Sequence, residues 1–306
     1  MPIRIAIVGY GKIARDQHVP AIAADPRFEL AAIATPDGDP GLGLPWFAAP
    51  ADLFQAMAGR LDAAAICTPP QIRHRIARAA LAAGLDVLLE KPPAATLGEL
   101  DDLEALARSQ QRALYAAWHS QHAAGVPLAA DALAGRTVDA LDIAWREDVR
   151  KWHPGQAWIW AEGGFGIFDP GINALSIATR ILPTRLEVRA ARLLVPVNRA
   201  APIAASLVFQ KEEMRAEMDW RHEGDEQWTI RVEPECGPVV ELRDGGARLL
   251  IDGAAQEVEG PGEYPSLYDR FAALAAAGAC EVDREPLRLV ADAFRIARRE
   301  PVEPFL

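Results

Sequence analysis

The sequence predicts an α/β Rossmann domain with a parallel sheet, followed by an α+β domain with an open, mainly antiparallel sheet. Three observations predict it. Strand-like apolar runs alternate with helical patterns in the first part of the chain, a glycine turn follows the first of those runs, and strand patterns from Leu186 to Leu250 succeed one another with no helix between them. The boundary falls near residue 120, dividing the chain into domains 1–120 and 121–306.

Composition narrows the classes of function. A chain of 306 residues, 50% hydrophobic and 25% charged, is long enough for two full cores. Its formal net charge of -11 argues against nucleic acid or an anionic membrane surface as partner, since both select basic faces. Cys67, Cys236 and Cys280 are too scattered for a disulfide framework or a zinc site. No stretch has the length and apolarity of a membrane span, and the N-terminal run meets Gly9 too soon for a signal peptide, so a cytoplasmic location is expected.

Ile3 to Val8 is a β-branched run, and Gly9-Tyr10-Gly11-Lys12-Ile13-Ala14 follows it with the spacing Gly-x-Gly-x-x-Ala. A helical pattern then continues through Val19 and Ile22. Gly9 makes the tight turn, Gly11 lets backbone approach a pyrophosphate, Lys12 and Ile13 open a helix that faces the phosphates, and Ala14 lets that helix lie close to the strand. A second strand, Phe28 to Ala34, ends near Asp37. An acid there accepts hydrogen bonds from both adenosine ribose hydroxyls, whereas a 2′-phosphate about 4 Å away would be repelled by about 4 kcal/mol at an effective dielectric near 20. No Lys or Arg between Ala34 and Gly43 offsets this, so NAD is favoured and NADP stays possible. The other reading of Asp37 is a solvated closure of the Pro36-Asp37-Gly38 turn.

Leu61 to Ile66 forms the next strand and ends at Cys67-Thr68-Pro69-Pro70, where Thr68, Pro69 and Pro70 would cover one side of a nicotinamide. His74 lies one turn into the following helix, near the cofactor end, with a structural role favoured over a catalytic one. Val87 to Leu89 reads as a strand buried on both faces and ends abruptly at Glu90-Lys91-Pro92, because Pro92 has no N–H with which to continue it. A lysine at the carboxyl end of a parallel strand faces the ligand crevice, although a solvated Glu90 and Lys91 pair fits this stretch equally well. Thr96 and Glu99 form a capping box at the start of the helix Leu97 to Arg108, and Ala113 to Trp118 is the last strand of the domain.

Taken together, Gly9-x-Gly11-x-x-Ala14, Thr68-Pro69-Pro70 before a histidine-bearing helix, and Glu90-Lys91-Pro92 resemble the glucose-fructose oxidoreductase, inositol dehydrogenase and rhizopine-catabolism superfamily. The resemblance covers nearly the whole chain and implies that Lys91 lies beside the nicotinamide and the substrate hydroxyl. Within that group the second half looks most like the bacterial aldose 1-dehydrogenases for L-arabinose and D-galactose. The carriers are Trp118-His119-Ser120-Gln121, Trp145 to Gly155, and Gly163 to Ala174. Where the wider superfamily has Asp-x-x-x-His, this chain has Asp169 and Asn173, so the histidine base of inositol dehydrogenases is absent. NADP-using arabinose dehydrogenases carry Ser-Arg where this chain has Asp37-Gly38, so their cofactor preference does not transfer.

In the second half, Trp145 to Trp160 holds four of the eight tryptophans along with Glu147 and His153. Aromatic faces suit the C–H surfaces of a sugar while carboxylate and imidazole fix its hydroxyls. Trp152 and His153 are expected at the substrate, Trp158 and Trp160 in a tether or subunit interface, and Trp228 either beside the sugar or in the core. On the predicted helix Ile167 to Ile181, Asp169 and Asn173 share one face a turn apart. A buried aspartate there needs a partner, and Lys91 is the expected one. His119 and His122 do not complete a metal site, and His119 is expected to touch sugar. The strands after Leu186 are expected to form an antiparallel meander, with closing helices at Tyr268 to Ala277 and Leu287 to Arg298.

The resemblance therefore implies oxidation of the anomeric carbon of a pyranose to a lactone, with Lys91, Asp169 and Asn173 as the catalytic set. A non-catalytic sugar or dinucleotide sensor on the same fold is the alternative from another class, and a dehydrogenase of another sugar or cyclitol the alternative among enzymes. An open sheet face leaves room for a homodimer.

Overall fold

The computed structural model describes residues 1–306, and the chain divides into two units. The first comprises Met1–His119 and Tyr264–Arg284; the second comprises Ser120–Glu263 and Glu285–Leu306. Residues 264–284, expected in the second domain, thus belong with the first. Packing explains this correction. The helix Glu263–Ala277 buries Tyr264, Leu267, Tyr268, Phe271 and Leu274 in one cluster with Ile5, Ile7, Phe28, Leu88 and Tyr115. Its apolar stripe is evident in sequence, but an amphipathic stripe does not say which sheet it will cover.

In the first unit, β1 (Ile3–Val8), β2 (Phe28–Ala34), β3 (Trp46–Phe47), β4 (Ala63–Ile66), β5 (Asp86–Glu90) and β6 (Leu114–Ala117) form a parallel sheet with an edge strand, Cys280–Glu281. The spatial order is edge strand, β6, β5, β4, β1, β2, β3. All of β4 and nearly all of β5 are buried, which explains their continuous apolar runs. Helices α1 (Val19–Ala24, continuing a π-helical turn, Ala14–His18), α2 (Pro50–Ala56), α3 (Pro70–Ala82) and α4 (Leu97–Ser109) connect the strands. Half of the capping box forms as expected, the Thr96 hydroxyl accepting the Glu99 N–H at 3.2 Å, while the Glu99 carboxylate accepts the Ala95 N–H at 3.0 Å, one residue before the cap. Strand order reverses between β1 and β4, so the ligand crevice of such a sheet lies beyond their carboxyl ends.

The second unit is a nine-stranded mixed sheet. It contains β7 (Val138–Arg146), β8 (Ala190–Pro196), β9 (Ala204–Val208), β10 (Met214–Asp219), β11 (Gln227–Pro234), β12 (Val240–Arg243), β13 (Arg248–Ile251), β14 (Ala254–Ala255) and a last strand, Arg298–Val302. The meander expected after Leu186 is interrupted. β7 inserts between β10 and β11, parallel to the former and antiparallel to the latter, and Arg298–Val302 adds parallel to β8. The reason lies in alternation: Leu141, Ile143 and Trp145 are buried while Asp142 is exposed, so β7 needs a central place with one covered face. Helices α5 (Val126–Leu133), α7 (Phe168–Ile181) and the closing helix Glu285–Ile296 supply that cover, while the short α6 (Val149–Trp152) follows β7. The opposite face carries exposed Asp142, Arg192, Arg215, Glu217 and Arg231. No helix is long and apolar enough to cross a membrane.

Candidate active site

In the first unit the candidate cofactor residues gather at the carboxyl ends of the strands. Gly9 follows β1 with φ +92, and a methyl group there would lie 2.9 Å from the Cys67 carbonyl carbon and the Thr68 nitrogen after β4. Only glycine lets the two strand ends approach this closely. A methyl on Gly11 would meet nothing within 4 Å, so the space over the helix start is open. The Thr68 hydroxyl is buried without a hydrogen-bond partner, a polar atom facing nothing the protein supplies. Open backbone at a helix start, a glycine cradle and an orphan hydroxyl fit a dinucleotide held by Gly9, Gly11, Lys12, Ile13 and Thr68. Lys12 forms an exposed ion pair with Asp16 through its side chain. Asp37 is exposed, with the buried Thr35 hydroxyl 3.3 Å from its Oδ2. Pro69 and Pro70 lead into α3.

Helix α3 turns two adjacent basic residues to opposite tasks. His74 points its Nε2 at Asp102, 2.8 Å away, and Arg78 joins the same carboxylate. Arg73, which the sequence reading passed over, is only 3% exposed and donates to the carbonyl oxygens of Thr68, Glu90 and Pro92. The signal for it is the helical phase. Pro70, Arg73, Ile76, Ala77 and Ala80 form one buried stripe. One guanidinium thus holds the ends of β4 and β5, the latter on both sides of Lys91.

Glu90 is 2% exposed and is surrounded by donors. Its Oε1 accepts the Tyr264 hydroxyl at 2.6 Å and lies 3.2 Å from His18 Nε2, while its Oε2 accepts the Lys91 N–H at 2.7 Å. His18 Nδ1 lies 2.8 Å from the Tyr268 hydroxyl, and His119 stacks on Tyr264 with ring centroids 5.4 Å apart. Burial alone would raise the Glu90 pKa, but the hydrogen bond and charge of His18, with His119 and Tyr264, hold it well below the usual carboxylate range. Burial alone would lower that of His18, yet Cys67, Tyr268 and Glu90 outweigh it and raise it well above the ordinary value. Burial pushes the Tyr268 hydroxyl up to about 12. Both directions favour an imidazolium beside a carboxylate, with His18 Nε2 3.2 Å from Glu90 Oε1. Lys91 itself is half-buried and precedes Pro92.

The second unit carries the remaining candidates. Glu147 extends the alternation Leu141, Ile143, Trp145 by one more step, which places a carboxylate on the covered face at 3% exposure. Its Oε1 accepts the Trp220 indole N–H at 3.3 Å and its Oε2 accepts that of Trp228 at 2.9 Å. Register explains the convergence: Trp228 stands opposite Trp145 across β11 and β7, with the rings stacked at 5.8 Å, and Trp220 follows β10. Trp228 is thus partly in the core and partly a donor. Trp220 was not singled out from the sequence, although Met214, Ala216, Met218 and Trp220 alternate as buried residues.

Asp169 is buried in the first turn of α7 and Asn173 follows it one turn on, half-buried. The helix can lie this low because of Gly171, where a methyl would sit 2.5 Å from Met218 Sδ of β10. His153 Nε2 lies 3.6 Å from Asp169 Oδ2 and 4.0 Å from Glu147 Oε1. Trp152 donates its indole N–H to Glu226 at 3.1 Å and tilts against Trp228 at 5.4 Å. Trp160 packs on Trp220 and Phe305. Glu147, His153, Asp169, Trp152 and Trp228 therefore form one neighbourhood within the second unit, while Lys91 and His119 belong to the first. Two buried carboxylates around an imidazole can accept hydroxyl hydrogen bonds and pass a proton, and the indoles offer flat apolar faces.

Comparison with known proteins agrees with this architecture. Residues 3–117 match the GFO/IDH/MocA oxidoreductase family, NAD-binding Rossmann fold. The chain is 47% identical to a galactose 1-dehydrogenase of Pseudomonas fluorescens over 307 residues, covering 99% of each protein. It is 48% identical to the crystal structure of a D-galactose-1-dehydrogenase from Rhizobium etli, with a TM-score of 0.92 over 100% of this chain and 98% of that one. A 3-ketoreductase from Actinomadura kijaniata in complex with TDP-benzene and NADP shares the fold at 20% identity, with a TM-score of 0.82 over 99% of this chain and 100% of that one. On its fold, its glycine turn and these whole-length likenesses, the chain is an oxidoreductase and belongs to the GFO/IDH/MocA family.

Proposed function

We propose that the protein oxidises the anomeric carbon of D-galactose and L-arabinose, in their pyranose forms, to the lactone. NAD, when bound, supplies the hydride acceptor. Lys91 and Asp169 act as a coupled pair on the proton that leaves the anomeric hydroxyl, and Asn173 hydrogen-bonds the sugar. His119, Glu147, Trp152, His153 and Trp228 bind the other hydroxyls and the C–H faces. The observation that carries this reading is the likeness over the whole chain to two galactose 1-dehydrogenases, reinforced by the buried carboxylates and indoles of the second unit. The two sugars share ring configuration and differ by one hydroxymethyl group, which a pocket discriminates weakly unless a buried partner meets its hydroxyl.

Asp37 supports NAD over NADP, and Thr68, Pro69, Pro70, Glu90, Lys91 and Pro92 line the nicotinamide end in this reading. Its setting is a reducing cytoplasm, consistent with three free thiols. The charged open sheet face serves a homodimer, which sedimentation would reveal. Absorbance of reduced nicotinamide, followed across a panel of aldoses with NAD and NADP in parallel, tests the activity. Turnover of D-galactose and L-arabinose with NAD is expected, and inactivity on every aldose refutes the reading. Lys91→Ala is expected to abolish turnover while NAD still binds; full activity in that variant removes Lys91 from the mechanism.

A further inference from the structure

We propose that Tyr264 and His18 are positioning residues for Lys91, acting through Glu90. The inference rests on the reading of Lys91 as a proton-handling group. At this turn the sheet ladder cannot hold the chain, because Pro92 has no N–H to contribute. The Lys91 N–H is held instead by Glu90 Oε2 at 2.7 Å. That carboxylate can serve as a fixed acceptor only while it stays ionised and in one rotamer. The Tyr264 hydroxyl at 2.6 Å and His18 Nε2 at 3.2 Å, both on Oε1, provide the two restraints. They come from the return helix and from the π-helical turn before α1, so three segments remote in sequence meet on one side chain.

Stability alone does not account for the arrangement. Replacing a buried ion pair by packed apolar side chains is often neutral or stabilising, so a core selected only for stability has no need of His18 and Glu90 in this place. Their geometry has a use where it ends, at the amide of Lys91.

Tyr264→Phe and Tyr268→Phe separate positioning from packing. Each removes one buried hydroxyl from the same helix; only the first touches Glu90, whereas Tyr268 reaches His18. Tyr264→Phe is expected to speed amide hydrogen exchange at Lys91 by about ten-fold and to lower kcat by about ten-fold, with KM for the sugar and Kd for NAD unchanged. Tyr268→Phe is expected to lose similar thermal stability while keeping both exchange and kcat within about three-fold of the wild type. His18→Gln, which keeps a donor but no charge, should fall between them and serves if Tyr264→Phe does not fold. Unchanged Lys91 exchange in Tyr264→Phe, or equal losses in both tyrosine variants, overturns the proposal. If the exchange difference stands while the wild type oxidises no aldose, the sugar reading fails and the positioning role survives.

Discussion

Arg73→Met is the substitution that most directly tests how the first unit is held together. The guanidinium is buried and donates to three carbonyl oxygens, those of Thr68, Glu90 and Pro92. Methionine keeps the unbranched apolar stem of the side chain but reaches none of the three carbonyls and donates nothing. Hydrogen bonds from a charged donor contribute about 1.5–3 kcal/mol each. Each carbonyl retains a second lone pair and can recruit water, so the low end applies, and three bonds sum to roughly 4.5 kcal/mol. His74→Ala provides the internal comparison. Its partner Asp102 is half-exposed and already paired with Arg78, so loss of the imidazole should cost under about 1 kcal/mol. Urea unfolding followed by far-ultraviolet circular dichroism measures both. If Arg73→Met lies within about 1 kcal/mol of the wild type, or if His74→Ala costs as much, the assigned phase of α3 is wrong.

Other consequences can be measured independently. Asp37→Ser should raise kcat/KM with NADP by at least about ten-fold and lower it with NAD, since it removes a repulsion of about 4 kcal/mol toward a 2′-phosphate; an unchanged NADP rate would reduce Asp37 to a turn residue. The His18 and Glu90 pair sets a pH dependence of stability. Glu90 is held low, so its contribution is present above its unfolded value near 4.5 and is lost as pH falls through the lower folded value. His18 is held high, so its contribution is complete below its unfolded value near 6.5 and is lost as pH rises through the raised folded value. The Tm advantage of the wild type over His18→Gln should therefore narrow as pH rises above 6.5, and a constant difference would refute the buried imidazolium. Trp228→Phe deprives the buried Glu147 carboxylate of its 2.9 Å donor and should cost about 1–3 kcal/mol of stability while raising KM for the sugar. A variant matching the wild type in both would place Glu147 outside the sugar pocket.

Much of this architecture is legible in the sequence because the relevant forces act locally. Gly9 and the doubly buried runs Ala63–Ile66 and Val87–Leu89 announce a parallel sheet, and Thr96 with Glu99 announces a helix start. Asp169 and Asn173 are picked out by the resemblance to the aldose dehydrogenases, and helical spacing adds that they share one face. What escaped depends on long-range choices. β7 was hidden by its own composition, because Trp145, Arg146 and Glu147 read as a binding segment although alternation through Leu141 and Ile143 marks a strand. Arg73 was masked by the adjacent histidine until the phase of α3 was fixed. Tyr264 has no local signature: its partner Glu90 lies 174 residues earlier, and nothing near either residue names the other.

The late return of the chain to its first unit bears on how the molecule can be synthesised. A ribosome releases the glycine turn and six strands long before it makes Tyr264, Tyr268 and Phe271, which complete the cover of Phe28 and Tyr115. Until then the nascent half has its glycine turn and its parallel strands but an unfinished apolar surface. A truncation ending at residue 120 is accordingly a poor stand-in for the cofactor-binding half, and a circular permutant that brings 264–284 next to Met1 would preserve it as a unit.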